Sequence, residues 1–231
     1  MPPAQLISSS QGLQIGGPVV LKVQIPLGGR GKAGGIVEVA SQKEAQAKAG
    51  ELLSTRIRSY LPKKLLVEEK ADVAQELFMA ITYDSLGKSP VAVFSQEGGV
   101  DIEELAARHP EKVRREPFSV RGRLPQYRAR EIIAEAGVSG RALLSLGSIF
   151  STLADIFLDY DATIAEINPL ALTRGGSYVA LDCHLEIDDD GLFRHGDLAG
   201  KEEEADRVEG GRSSSDFERQ AARIDQLDHR G

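Results

Sequence analysis

Residues 27–35 read Leu-Gly-Gly-Arg-Gly-Lys-Ala-Gly-Gly, with five glycines in the eight positions 28–35. Few folds can use such a loop. The run before it, Pro18 to Ile25 (PVVLKVQI), has strand composition, and Ile36 to Ala40 (IVEVA) reads as the returning strand. Gly29-Arg30-Gly31-Lys32-Ala33-Gly34 satisfies G-x-G-x-x-G, but a dinucleotide loop opens a helix whose N-terminus holds the pyrophosphate, and here a strand follows. A Walker A loop fails as well, because Lys32 is followed by Ala33 rather than Ser or Thr. What remains is a strand-loop-strand rich in backbone N–H groups, with Lys22, Arg30 and Lys32 close by. That layout suits a mobile flap over polyphosphate; the alternative is an exposed hairpin tip. Lys22 favours the flap, since a charge interrupting an apolar strand needs a partner or a ligand.

Charge narrows the function classes. The 231 residues carry 28 Lys plus Arg against 35 Asp plus Glu, a net charge of −7, whereas a general nucleic-acid binder needs the opposite sign. The longest uncharged apolar stretch, Ala142 to Ala154, contains Ser, Gly and Thr and is too short to span a bilayer. The N-terminus lacks the basic-then-apolar layout of a signal peptide. A single cysteine, Cys183, excludes an internal disulfide framework. The expectation is a cytoplasmic protein with no nucleic-acid or membrane partner.

Further along, Ser41 caps a helix expected to run to about Ile57, with Glu44 at the capping-box position. Leu65–Glu69, Glu76–Asp84 and Val91–Ser95 read as strands, the last two as a hairpin. Helices are expected at Ile102–Arg108, Gln126–Ala136 and Arg141–Leu158. Lys112 to Arg130 holds seven basic residues and one acid and reads as a charged exposed loop, the alternative being a grip on an anion or an acidic partner. From Lys201 to Gly231, 15 of 31 residues are charged, the composition of a solvated tail or linker. The domain division expected is a lobe over 1–71 with the glycine loop, a second lobe over 72–195, and a charged tail or linker over 196–231.

The second constellation is a hairpin. Thr163–Thr173 and Tyr178–Asp188 both alternate; if three residues, 174–176, form the loop, paired positions sum to 350, whereas a two-residue loop breaks this pairing. Asn168 then faces Asp182, and Glu166 faces His184, all on one side. A carboxylate beside an amide carbonyl is a hard-oxygen pair suited to Mg²⁺, which takes nucleotide phosphates and waters as its other ligands; the alternative is an ordinary solvated sheet face. Asn168-Pro169 inside a strand favours a site, because Pro there calls for a bulge or an edge. Cys183, on the opposite face, is expected to be buried and inert. His109, His184, His195 and His229 have no companion at metal-ligand spacing.

Four stretches, LKVQIPLGGRGKAGG (21–35), LLVEEKADVAQELFMAI (65–81), SQEGGVDIEELA (95–106) and AEINPLALTRGGSYVALD (165–182), resemble the ATP-grasp portion of the succinyl-CoA synthetase β subunit and of related nucleoside-diphosphate-forming acyl-CoA synthetases and malate–CoA ligases. The resemblance implies an α+β ATP-grasp fold of two lobes clasping a nucleotide. It implies an acid–thiol ligase in which ATP or GTP phosphorylates a histidine, the phosphoryl group passes to a carboxylate, and CoA displaces it. By motif, Lys22 resembles the phosphate-contacting lysine, and Gly29, Arg30 and Gly31 the loop over the phosphates. Glu68, Ala71 and Glu76 match nucleotide-contacting positions, Asn168 and Asp182 the two Mg²⁺ ligands, and Glu166 the glutamate facing the phosphohistidine.

The chain departs from the family at several points. An opening helix and strand, and the C-terminal flavodoxin-like domain, are expected to be missing. The family's L-D-G-K is Leu181-Asp182-Cys183-His184 here, and Pro26 replaces a histidine before the glycine loop. The phosphorylated histidine and the CoA site are expected on a partner α-type subunit. Two rival readings stay open: a degenerate or regulatory nucleotide-binding subunit without turnover, and an ATP-grasp ligase with another carboxylate and acceptor.

Overall fold

In the computed structural model the described residues are 1–25, 29–196 and 198, so Pro26 to Gly28 of the glycine loop, the charged run from Lys201 and His229 lie outside them. The chain divides into two compact units, one over Ala4–Lys70 and the other over Met1–Pro3 with the segment that starts at Ala71.

The first unit is a four-stranded antiparallel sheet in the order β1-β4-β2-β3, formed by Ala4–Ile7 (β1), Val19–Val23 (β2), Ile36–Val39 (β3) and Leu65–Glu69 (β4), with one helix, Gln42–Ser54 (α1). Val19, Leu21, Val23, Leu65 and Val67 share one core with Ala45, Ala49 and Leu52 of α1. Ser41 caps α1 by accepting from the Glu44 N–H at 3.3 Å. The helix ends at Ser54, short of the expected Ile57, because Ile57 and Tyr60 close a turn on each other by two backbone bonds of 2.8 and 3.1 Å. Strand β1, which the sequence reading missed, lies along the outer edge of β4.

The second unit is built on the antiparallel order β10-β8-β5-β6-β7, with β9 also on β8. Its strands are Val73–Asp84 (β5), Ser89–Ser95 (β6), Val113–Pro117 (β7), Ala162–Thr173 (β8), Tyr178–Ala180 (β9) and Cys183–Ile187 (β10). Gln126–Glu135 (α3) and Ala142–Asp159 (α4) cover one face, burying Ile132, Ile133, Phe150 and Phe157 against Met79, Ile81, Phe94 and Ile167. The seven-residue helix Ile102–Arg108 (α2) meets the other face over Phe78, Ala80, Val91, Val93 and Val113. Helix α4 spans 18 residues with mean hydropathy 1.5, so by length and composition it is long and apolar enough to cross a membrane, contrary to the expectation from Ala142 to Ala154. Its Leu146, Phe150, Leu153 and Phe157 instead pack into the core.

The stretch expected to be a charged loop contains strand β7. Its cations pair with acids mostly outside the stretch: Lys112 with Glu97, Arg123 with Asp155 and Asp159, and Arg128 with Glu116 and Glu131.

Candidate active site

Each unit presents one cluster. In the first, Lys22 and Glu68 lie on the sheet face opposite α1's core residues, because β2 and β4 pair Lys22 with Leu66 and Val20 with Glu68, leaving the two charges diagonal neighbours. Their side chains form an ion pair and are 8% and 2% exposed. The remaining Glu68 oxygen, Oε1, is buried without a hydrogen-bond partner among the described residues.

The glycine loop is tied to the same strand: Val23 N–H donates to the Gly35 carbonyl at 2.9 Å and Arg30 Nη1 to the Val23 carbonyl at 3.2 Å. A Cβ on Gly35 would come within 2.6 Å of Val23 Cγ2, so this close approach requires glycine. Gly29 has a φ of +67°, and Gly31 accepts at its carbonyl from the Gly34 N–H at 3.0 Å. One guanidinium nitrogen of Arg58 lies 3.8 Å from the position of a Gly29 Cβ. Arg58 was not singled out from the sequence, where nothing links it to a loop nearly thirty residues away.

In the second unit the hairpin forms with the expected register. The Thr173 N–H donates to the Ser177 carbonyl at 2.9 Å across Arg174-Gly175-Gly176, with Gly176 at φ +82°. Leu172 pairs with Tyr178, Glu166 with His184, and Asn168 N–H donates to the Asp182 carbonyl at 3.0 Å. The single strand expected over Tyr178–Asp188 is broken at Leu181-Asp182 and ends at Ile187, since Asp188 caps the turn Asp189–Arg194.

Opposite, the β5 register slips between Leu77 and Met79, so Asn168 and Pro169 together face Phe78. This is the bulge that the proline called for. Met79 pairs with Ile167, which places Ile167 on the α3–α4 side and aims Glu166 and Asn168 at the α2 side. Because α2 covers only β5–β7 there, the polar groups of β8 are left uncovered by it.

The site electrostatics follow from that placement. Burial raises the Glu166 carboxyl above its ordinary value, the neighbouring Asp182 and Asp101 add to the rise, and Asn168 and His184 oppose it. Asp182 Oδ1 accepts from the Cys183 N–H at 3.1 Å. Asn168 Oδ1 accepts from the Gly99 N–H at 2.8 Å, and Nδ2 donates to the Val100 carbonyl at 3.1 Å. An amide oxygen has two lone pairs, so one remains for a cation. One carboxylate and one amide oxygen form a donor set that fits a Mg²⁺ whose other ligands are phosphate oxygens and waters. Among the described residues no group of three or more His, Cys, Asp or Glu side chains gathers to hold a metal unaided.

Of the other expected positions, Glu76 lies on β5 with its carboxylate over Gly99, and Ala71 follows β4 at the start of the second unit. Cys183 is exposed, contrary to expectation, because β10 is an edge strand with little packed against it. The loop Gly98–Asp101 also lies at this site, and no local sequence signal ties it to Asn168.

A model of the ATP-grasp domain matches residues 8–172. The chain belongs to the ATP-grasp family. The ATP-grasp assignment agrees with its α+β architecture of antiparallel sheets. The chain is 40% identical over 192 residues to the β subunit of the ADP-forming succinate–CoA ligase of Halorubrum lacusprofundi, covering 83% of this chain and 50% of that one. It is 42% identical over 190 residues to the corresponding subunit of Methanothermobacter thermautotrophicus, covering 82% and 52%. The chain thus spans about half the length of the curated relatives it matches. Among solved structures, the dinucleotide-forming acetyl-coenzyme A synthetase 1 of Ca. Korarchaeum cryptofilum, in complex with coenzyme A, Ca-AMPCP and HgCl⁺, superposes with a TM-score of 0.63 at 20% identity over 81% of this chain and 86% of that one. The ATP citrate lyase of Methanothrix soehngenii gives 0.55 at 19% identity over 85% and 47%. At these identities the likeness is one of fold.

Proposed function

We propose that this ATP-grasp chain is the nucleotide-binding, β-type part of a nucleoside-diphosphate-forming acid–CoA ligase such as succinyl-CoA synthetase. The observation that carries the reading is the pairing of Asn168 with Asp182 beside Glu166, on a chain about 40% identical to succinate–CoA ligase β subunits. In this reading Lys22, Gly29, Arg30 and Gly31 meet the phosphates of ATP or GTP, and Glu68, Ala71 and Glu76 the rest of the nucleotide. Asn168 and Asp182 hold Mg²⁺, which when bound neutralises charge on the phosphate oxygens. Glu166 faces the histidine that accepts the phosphoryl group, its carboxyl held above its ordinary value by burial. That histidine and the CoA site belong to an α-type partner, the small carboxylic acid binds on the complex, and the complex works in the cytoplasm.

The test is an assay of the purified chain with ATP, Mg²⁺, CoA and small dicarboxylates, with and without a CoA-binding α-type subunit. Thioester should form only with the partner. Turnover by the chain alone, or a phosphohistidine mapped to His184, overturns the division of labour.

A further inference from the structure

The loop Gly98–Asp101 runs closer to the sheet than any side chain allows. Gly98 N–H donates to the Glu76 carbonyl at 2.9 Å. A Cβ on Gly98 would strike the Leu77 backbone, and one on Gly99, whose φ is +68°, would strike the Glu76 carboxylate. Over this pair the Asn168 carboxamide bonds two successive residues with opposite ends, accepting from the Gly99 N–H and donating to the Val100 carbonyl. That pattern fixes which end of the amide is oxygen. The next residue, Asp101, caps α2 by accepting from the N–H groups of Glu103 and Glu104 at 3.1 and 3.2 Å.

We infer that Asn168 is a positioning residue as well as a candidate metal ligand: its amide clamps the Gly98–Asp101 loop to β8, and the clamp in turn holds its oxygen in place for the cation. The inference rests on the reading of Asn168 and Asp182 as the holders of the nucleotide's Mg²⁺. It also explains why the position carries an amide. On cation chemistry alone a carboxylate is the better hard ligand. A carboxylate, however, has no donor for the Val100 carbonyl, and it adds a negative charge beside Glu166, Asp182 and Asp101, which already lie close enough to interact. The ligand role alone and the clamp therefore give Asn168→Asp opposite signs.

The experiment uses the full chain with Mn²⁺ as the probe, free Mn²⁺ being counted by electron paramagnetic resonance in the presence of ATP, and with calorimetry of ATP in chelator. Asn168→Asp should weaken Mn²⁺·ATP binding by up to about tenfold, the worth of one neutral hydrogen bond. Metal-free ATP affinity should stay within about threefold, because Asn168 is not among the residues proposed to contact the phosphates. Asp182→Asn should lose the metal as well. The Gly99 amide should exchange slowly in the parent and faster in Asn168→Asp. If Asn168→Asp holds Mn²⁺·ATP as tightly as the parent while Asp182→Asn loses it, the clamp is wrong and the metal reading stands. If both variants bind as the parent does, the metal reading fails and the clamp falls with it. A Gly99 amide that exchanges freely in the parent overturns the clamp whatever the binding data.

Discussion

The two clusters handle charge in opposite ways. In the smaller unit Lys22 and Glu68 neutralise each other inside the sheet, nearly sealed from water. In the larger unit Glu166, Asn168 and Asp182 are only half-buried, at a bulge and a strand break, and their partners are mostly backbone groups. A buried pair is intolerant of losing one member. A cluster held by backbone N–H groups can lose a carboxylate and keep its fold. Substitutions at the buried pair of the first unit should therefore cost the fold as well as the nucleotide, and substitutions at the cluster of the second should cost the ligand alone.

The largest effect expected is at Lys22. Lys22→Ala strands the Glu68 carboxylate and should destabilise the chain by about 3–5 kcal/mol, read from urea unfolding. Replacing both partners, Lys22→Met with Glu68→Leu, should recover most of that stability while nucleotide binding stays lost. If Lys22→Ala unfolds at the parent's urea concentration, the comparison fails on this side. Next is Asp182→Ala, which should lose about 1.5–3 kcal/mol of Mg·ATP affinity by calorimetry with its melting temperature nearly unchanged. A large drop in melting temperature would make Asp182 structural.

Glu166 sharpens the same contrast through pH. Its folded pKa is raised above the unfolded value of 4.5, so the unfolded chain ionises first and stability falls as pH climbs from there through the folded value. Glu166→Gln should therefore be more stable than the parent at neutral pH and equal to it in acid well below 4.5. Unfolding curves across that range with no difference at neutral pH would contradict the burial argument. The smallest effect belongs to the exposed pair of Arg123 with Asp155 and Asp159: Arg123→Gln should leave the unfolding midpoint within error, most clearly in high salt.

What the sequence disclosed depended on how local the cause was. Once the turn at Arg174-Gly175-Gly176 has three residues it dictates pairing on both sides, so the facing of Asn168 with Asp182 and of Glu166 with His184 was legible in the sequence up to the length of that loop. Pro169 announced the bulge. Strands β1 and β7 were not legible, since one has only four residues and the other is dominated by charge, and neighbouring strands give each its pairing. The exposure of Cys183 could not be read because alternation assigns a face without saying whether anything covers it. The docking of Gly99 on Asn168 joins residues 69 positions apart and leaves no local trace.

The sheet of the larger unit has a consequence for the order in which it is made. Its middle strand β5 pairs on one side with β6, a hairpin away, and on the other with β8, where Ile81 meets Ala165. A ribosome adding about 5–20 residues per second needs roughly 4–17 s to travel between those two residues. Throughout that interval the hairpin exists with one long apolar edge, Leu77 to Ile81, lacking its mate. An unpaired edge of this kind templates association with other chains. The yield of native protein should accordingly depend on translation speed and on crowding by sister chains during synthesis, even though the finished sheet no longer offers that edge.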